Sequence, residues 1–113
     1  MKNILPNGDI EVVIDEGTQE EQRIRIKPSE LMKGSLEALQ TLVNEDRYGY
    51  FVWDSDEPEF EPLLIDMGTA RIMVLVYEAI NEKNKETFVR QIADNRGYFG
   101  RMADFAWSKA TFR

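Results

Sequence analysis

Ile10, Val12 and Ile14 alternate with Glu11, Val13 and Asp15, and Ile24 and Ile26 alternate with Arg23, Arg25 and Lys27. A two-residue period of this kind predicts a pair of half-buried strands, and the polar link between them predicts an antiparallel hairpin. Pairing Ile14 with Ile24 would set Glu11 against Lys27 and Asp15 against Arg23, making the three cations structural. Farther on, Met32, Leu36, Leu39 and Val43 recur at spacings of three and four, with Leu31 and Leu42 widening the stripe. That period predicts a helix opened by Pro28 and Ser29 and ended by residues 44–47. Gly34 would weaken it by about 1 kcal/mol.

Tyr48 to Trp53 is β-rich and bulky on both faces, with Tyr50 and Val52 on one side and Phe51 and Trp53 on the other. This is the pattern of a central strand covered on both sides, or of one covered on one side and available on the other, and residues 63–66 predict a further short one. The rest reads as helical. A helix over 70–82 capped by Thr69 buries Ile72, Met73, Val76, Tyr77, Ala79 and Ile80. A second, capped by Asn84, carries Phe88, Val89, Ile92 and Ala93 and ends near Gly97. A third over about 99–110 presents Phe99, Met102, Phe105 and Ala106. Strands, helix, strand and then helices predict an α+β fold. The expected architecture is a small antiparallel sheet, hairpin 10–27 plus strand 48–54, packed on three or four helices in one domain over 1–113.

Length and composition are compatible with that picture. A chain of 113 residues, 42% hydrophobic and 31% charged, can bury roughly two-thirds of its unfolded surface without staples. It has no cysteine and no histidine. Disulfides, thiolate or imidazole metal sites, thiol nucleophiles and Ser-His-Asp triads are therefore ruled out. No Gly-rich phosphate loop of the Walker or dinucleotide kind is present. The reading is a protein that is not an enzyme and has no cofactor or metal. The absence of cysteine and of a signal-peptide pattern in the first residues leads us to expect a cytoplasmic protein without membrane association.

Charge sharpens the reading. Residues 1–66 carry 16 acidic and 6 basic side chains, a net of −10, whereas residues 67–113 carry 5 and 8, a net of +3. No long basic stripe suggests direct nucleic-acid binding. The acids crowd into Asp54, Asp56, Glu57, Glu59 and Glu61, directly after the apolar strand. An Asp-x-Asp after a strand resembles the nucleophile motif of haloacid-dehalogenase-like phosphatases. Pro58 stands where that motif has Thr or Val, however, and only 57 residues follow Asp56. An EF-hand loop counted from Asp54 fails at Pro58, Glu59 and Ile65. Gly97-Tyr98-Phe99-Gly100, flanked by Arg96 and Arg101, resembles the backbone-clamping loop of KH modules, but aromatics fill its centre and no strand follows. The expected role of Gly97 is to end a helix at a tight corner.

Two prolines and five carboxylates describe a stiff, solvated connection. Phe60 within it and Trp53 before it add aromatic surface. The segment Asp54, Asp56, Glu57, Glu59, Phe60 and Glu61, with Trp53, is thus the candidate docking surface for a protein partner with a basic face. Charge would speed the encounter and aromatics would supply affinity. This is the profile of an inhibitor, immunity protein or assembly chaperone. The alternative is a self-assembling structural subunit, a homo-oligomer buried through residues 48–53 and the final helix with Trp107 and Phe112. Mimicry of DNA phosphates by spaced carboxylates is a third reading.

Overall fold

The computed structural model describes residues 2–15 and 17–110, arranged as an α+β fold of two three-stranded sheets and four helices. Strands β1 (Lys2–Ile4), β2 (Ile10–Ile14) and β3 (Gln22–Ile26) form an antiparallel meander in that order. The β1–β2 turn is built by Pro6, Asn7 and Gly8. Gly8 donates to the Leu5 carbonyl at 2.9 Å, and the Leu5 N–H donates to Asp9 at 2.8 Å. Gly8 sits at φ +91°, the left-handed position that closes a three-residue hairpin loop.

The β2–β3 hairpin forms in a register two residues from the expected one. Ile14 faces Gln22, Val12 faces Ile24 and Ile10 faces Ile26, while Glu11 faces Arg25. A slip of two preserves every inward side chain, so alternation alone cannot distinguish the registers. Glu11 still pairs with Arg23, diagonally, at 2.9 Å. Arg23, Arg25 and Lys27 all lie exposed.

Pro28 and Ser29 do not open a helix. They begin a single 3-10 turn, Pro28–Glu30, followed by strand β4 (Leu31–Lys33). This strand runs parallel to β5 (Gly49–Val52), with Leu31 against Tyr50 and Met32 against Phe51. Parallel neighbours need a crossover, which α1 (Leu36–Glu45) supplies. Its cap is Ser35, whose side chain accepts from Ala38 N–H at 3.1 Å. Gly34 therefore stands outside the helix, where its N–H donates to the Val52 carbonyl at 3.0 Å. It has no room for a side chain, because a Cβ there would overlap the Trp53 indole. The strand over 48–54 thus belongs to a second, mixed sheet and not to the hairpin sheet. β5 is central in it, and β6 (Leu63–Ile65) pairs antiparallel on its other side.

The two faces of β5 have different neighbours. Phe51 and Trp53 point into the main core with Leu39, Leu42, Met73, Phe88, Ile92 and Phe99. Tyr50 and Leu31 turn the other way, onto Ile10, Val12 and Ile26 of the hairpin sheet. The result is three layers: meander, mixed sheet, helices.

Three helix boundaries also differ from expectation. Helix α2 (Met67–Ala79) is capped by Asp66, which accepts from Thr69 N–H at 2.7 Å, so Thr69 lies in the first turn. Helix α3 (Glu82–Asp94) is capped by Asn81, which accepts from Asn84 N–H at 2.9 Å. Helix α4 (Arg96–Ala110) is separated from α3 by the single residue Asn95. Asn95 makes the corner: its side chain accepts from Tyr98 N–H at 2.8 Å and its carbonyl from Phe99 N–H at 3.0 Å. Gly97 therefore lies inside α4 instead of ending α3. Phe99 is buried and Tyr98 is exposed. No helix among the described residues is long and apolar enough to cross a membrane.

Candidate functional site

The acidic segment between β5 and β6 consists of two tight turns clasped onto the α3–α4 corner. In the first, the Asp56 N–H donates to the Trp53 carbonyl at 3.0 Å, and the Trp53 N–H donates back to Asp56 Oδ2 at 3.0 Å. In the second, the Phe60 N–H donates to the Glu57 carbonyl at 3.0 Å, with Pro58 in the position that presets such a turn.

Arg96, the first residue of α4, secures both. Its guanidinium donates to Asp56 Oδ1 and Oδ2 at 2.9 and 2.8 Å, and to the Glu61 carbonyl at 2.7 Å. The same group lies over the Phe60 ring at 5.1 Å and the Trp53 ring at 5.7 Å. The bidentate pair holds the Asp56 carboxyl below its ordinary value of 3.8. Hydrogen bonding from Arg96 is the main cause, and the Trp53 N–H adds to it against the opposing effect of burial. From the opposite side, Lys2 Nζ donates to the Phe60 carbonyl at 2.9 Å.

The segment also completes α3. The last carbonyls of a helix lack partners within it. Trp53 Nε1 donates to the Ile92 carbonyl at 2.8 Å, and Ser55 Oγ to that of Asp94 at 3.0 Å. The Asp54-Ser55-Asp56 triplet is therefore mainly a clasp at a helix corner.

The candidate residues accordingly divide. Trp53 is only 5% exposed and belongs to the core. Asp56 turns inward to Arg96. Asp54 stands in solvent beside Lys33, 3.2 Å away, a pair too exposed to contribute much. Glu57 and Glu59 are exposed and form no ion pair among the described residues. Phe60 presents 42% of its surface while its ring stacks on Arg96. Glu61 is half-buried where the loop enters β6. Among the described residues no three carboxylates gather closely enough to hold a metal ion.

The surface assigned to self-assembly is also divided. Phe51 and Trp53 are internal. Tyr48 is exposed, and Trp107 is half-exposed with its indole N–H on Thr69 Oγ1 at 3.2 Å. Phe112 lies outside the described residues. What sequence reasoning missed is the role of Arg96, read only as a flank of the Gly97–Gly100 segment. Arg96 lies forty positions from Asp56, and no local spacing connects the two.

No known family model matches the chain, and comparison with curated proteins and with solved structures likewise gives no match.

Proposed function

We propose that this chain is a cytoplasmic protein-binding module, acting without catalysis, that docks a basic partner surface through the loop from Asp54 to Glu61. One observation carries the reading: the Arg96 clasp fixes the loop from inside while Asp54, Glu57 and Glu59 face solvent. A loop already ordered in the free protein loses little conformational freedom on binding. The carboxylates carried on its held backbone can attract a cationic surface over about 8 Å at physiological salt. Phe60, backed by the guanidinium, is the apolar contact beside them.

The test substitutes only the outward acids, Asp54→Lys, Glu57→Lys and Glu59→Lys, and leaves Asp56 with Arg96. A pull-down from source-cell lysate, followed by stopped-flow association with the captured protein, should show one basic partner bound by the wild type. The variant should associate at least about ten-fold more slowly at low salt, with its thermal transition unchanged. An association rate that ignores both salt and the substitutions would overturn the proposal.

A further inference from the structure

A groove of about 240 Å³ opens between the meander and the mixed sheet. Val12, Ile26 and Tyr50 form its floor, Ile14 and Leu64 its rim, and Pro62 one end. The rim residues are unusually open for aliphatic side chains beside a core, Leu64 at 55% and Ile14 at 40% exposure. The register explains why. Leu64 pairs with Tyr50, so it faces the meander, yet the meander covers Tyr50 and stops short of Leu64.

Acids outnumber cations at the two ends of the groove. At the Pro62 end Glu61 leads into the acidic loop, where Lys2 is, among the described residues, the one cation bonded to it from the meander, at the Phe60 carbonyl. At the other end Asp15 and Glu20 form no ion pair among the described residues, while Glu21 pairs with Arg23. β6 is the edge of its sheet. Among the described residues it makes no backbone hydrogen bond outside its ladder with β5. An edge of this kind can accept an added strand.

We propose that this groove receives an extended, basic segment of the partner protein, seating one aliphatic side chain between Ile14 and Leu64 while its cations meet the acidic loop. The inference rests on the basic-partner reading above and assigns the partner a shape. A chain lying along β6 travels about 3.3 Å per residue, and beyond Pro62 it meets the two turns that carry Glu57 and Glu59. Cations on that side of the anchor therefore face the acidic loop.

The test uses dye-labelled synthetic peptides read by fluorescence anisotropy: alternating lysine and leucine, alternating lysine and serine, and alternating glutamate and leucine. The lysine–leucine peptide should bind the full chain tightest. Leu64→Ser with Ile14→Ser should weaken it at least about ten-fold, the scale of one aliphatic side chain left unburied. Leu75→Ser, at a still more exposed leucine on α2, should have no effect. Asp54→Asn with Glu57→Gln and Glu59→Gln should instead reduce the salt dependence.

Unchanged affinity in the groove variant, with loss in the loop variant, would overturn the groove and leave the acidic loop standing. Equal binding of the glutamate–leucine peptide would overturn the basic occupant. Failure of the lysine–leucine peptide to bind, or a dimer of the chain that Leu64→Ser dissolves, would overturn the inference altogether.

Discussion

Arg96 and Asp56 meet through two parallel hydrogen bonds of 2.9 and 2.8 Å, joining the start of the last helix to the turn that follows the central strand. The guanidinium also satisfies the Glu61 carbonyl, so a single side chain closes both ends of the acidic loop. Both partners are largely shielded, Asp56 at 12% and Arg96 at 26% side-chain exposure. Geometry of this kind makes the pair costly to break from one side.

Removing the guanidinium with Arg96→Ala should destabilise the fold by about 2–3 kcal/mol, since Asp56 and the Glu61 carbonyl both lose charged donors. Arg96→Lys should recover less than half of that, because an ammonium cannot form the two-pronged contact. Urea midpoints at constant slope would measure both. A shift below about 0.5 kcal/mol for the alanine variant would mean the clasp is energetically idle.

Acid sensitivity follows from the same pair. The folded-state pKa of Asp56 is depressed, so its contribution is complete above the unfolded value near 3.8 and is lost as pH falls through the lower folded value. The stability gap between wild type and Asp56→Asn should therefore stay constant from neutral pH down toward 4 and shrink below it. Chemical denaturation at a series of pH values reads this directly. A gap that closes instead between pH 7 and 5 would contradict the assignment.

Gly34→Ala should be among the most damaging single-methyl additions. The new Cβ would enter the space of the Trp53 indole, and the ring is held there by its bond to Ile92. Overpacking typically costs about 1–3 kcal/mol, and displacing the ring should also break that bond. In a Trp107→Phe background the remaining indole emission should shift to the red. Unchanged emission and stability would show that the ring can yield without cost.

Gly8→Ala should cost about 1 kcal/mol from left-handed backbone alone, because a Cβ there meets only Pro28 at an ordinary 3.6 Å. Gly8→Asn should cost less, since asparagine tolerates that conformation better. Thermal midpoints of the two variants would separate backbone strain from crowding.

Much of this fold is legible in residue order. The inward placement of Ile10, Val12 and Ile26, the central place of β5, and the existence of three C-terminal helices follow from period and bulk, whereas Val13 is buried and Ile14 is 40% exposed, against the alternation. Caps were misplaced by three residues at Thr69 and Asn84 because each lies one turn inside a helix that an earlier Asp66 or Asn81 begins. The stretch from Pro28 to Gly34 misled for a nonlocal reason. Met32 continues the helical spacing of Leu36 and Leu39, yet Leu31–Lys33 extends to bond with β5, a partner that local propensity cannot see. The candidate loop is visible as a run of acids. Its inner and outer halves are not, because Asp56 turns inward onto Arg96, forty positions away, as well as onto the nearby Trp53 N–H.

The clasp has a consequence for how the molecule opens. Trp53 and Ser55 close the last carbonyls of α3, while the side chain of Arg96, at the first position of α4, closes the loop that contains them. Neither the loop nor the helix corner can loosen without exposing the other's buried polar groups. Residues 53–61 and 92–99 should therefore exchange their amide hydrogens through one shared opening, far slower than a surface loop of that composition would on its own. The pairing also spans forty residues, so closing it costs more chain entropy than the local turns it secures. The loop should thus be among the first parts of the surface to report damage to the corner beneath it.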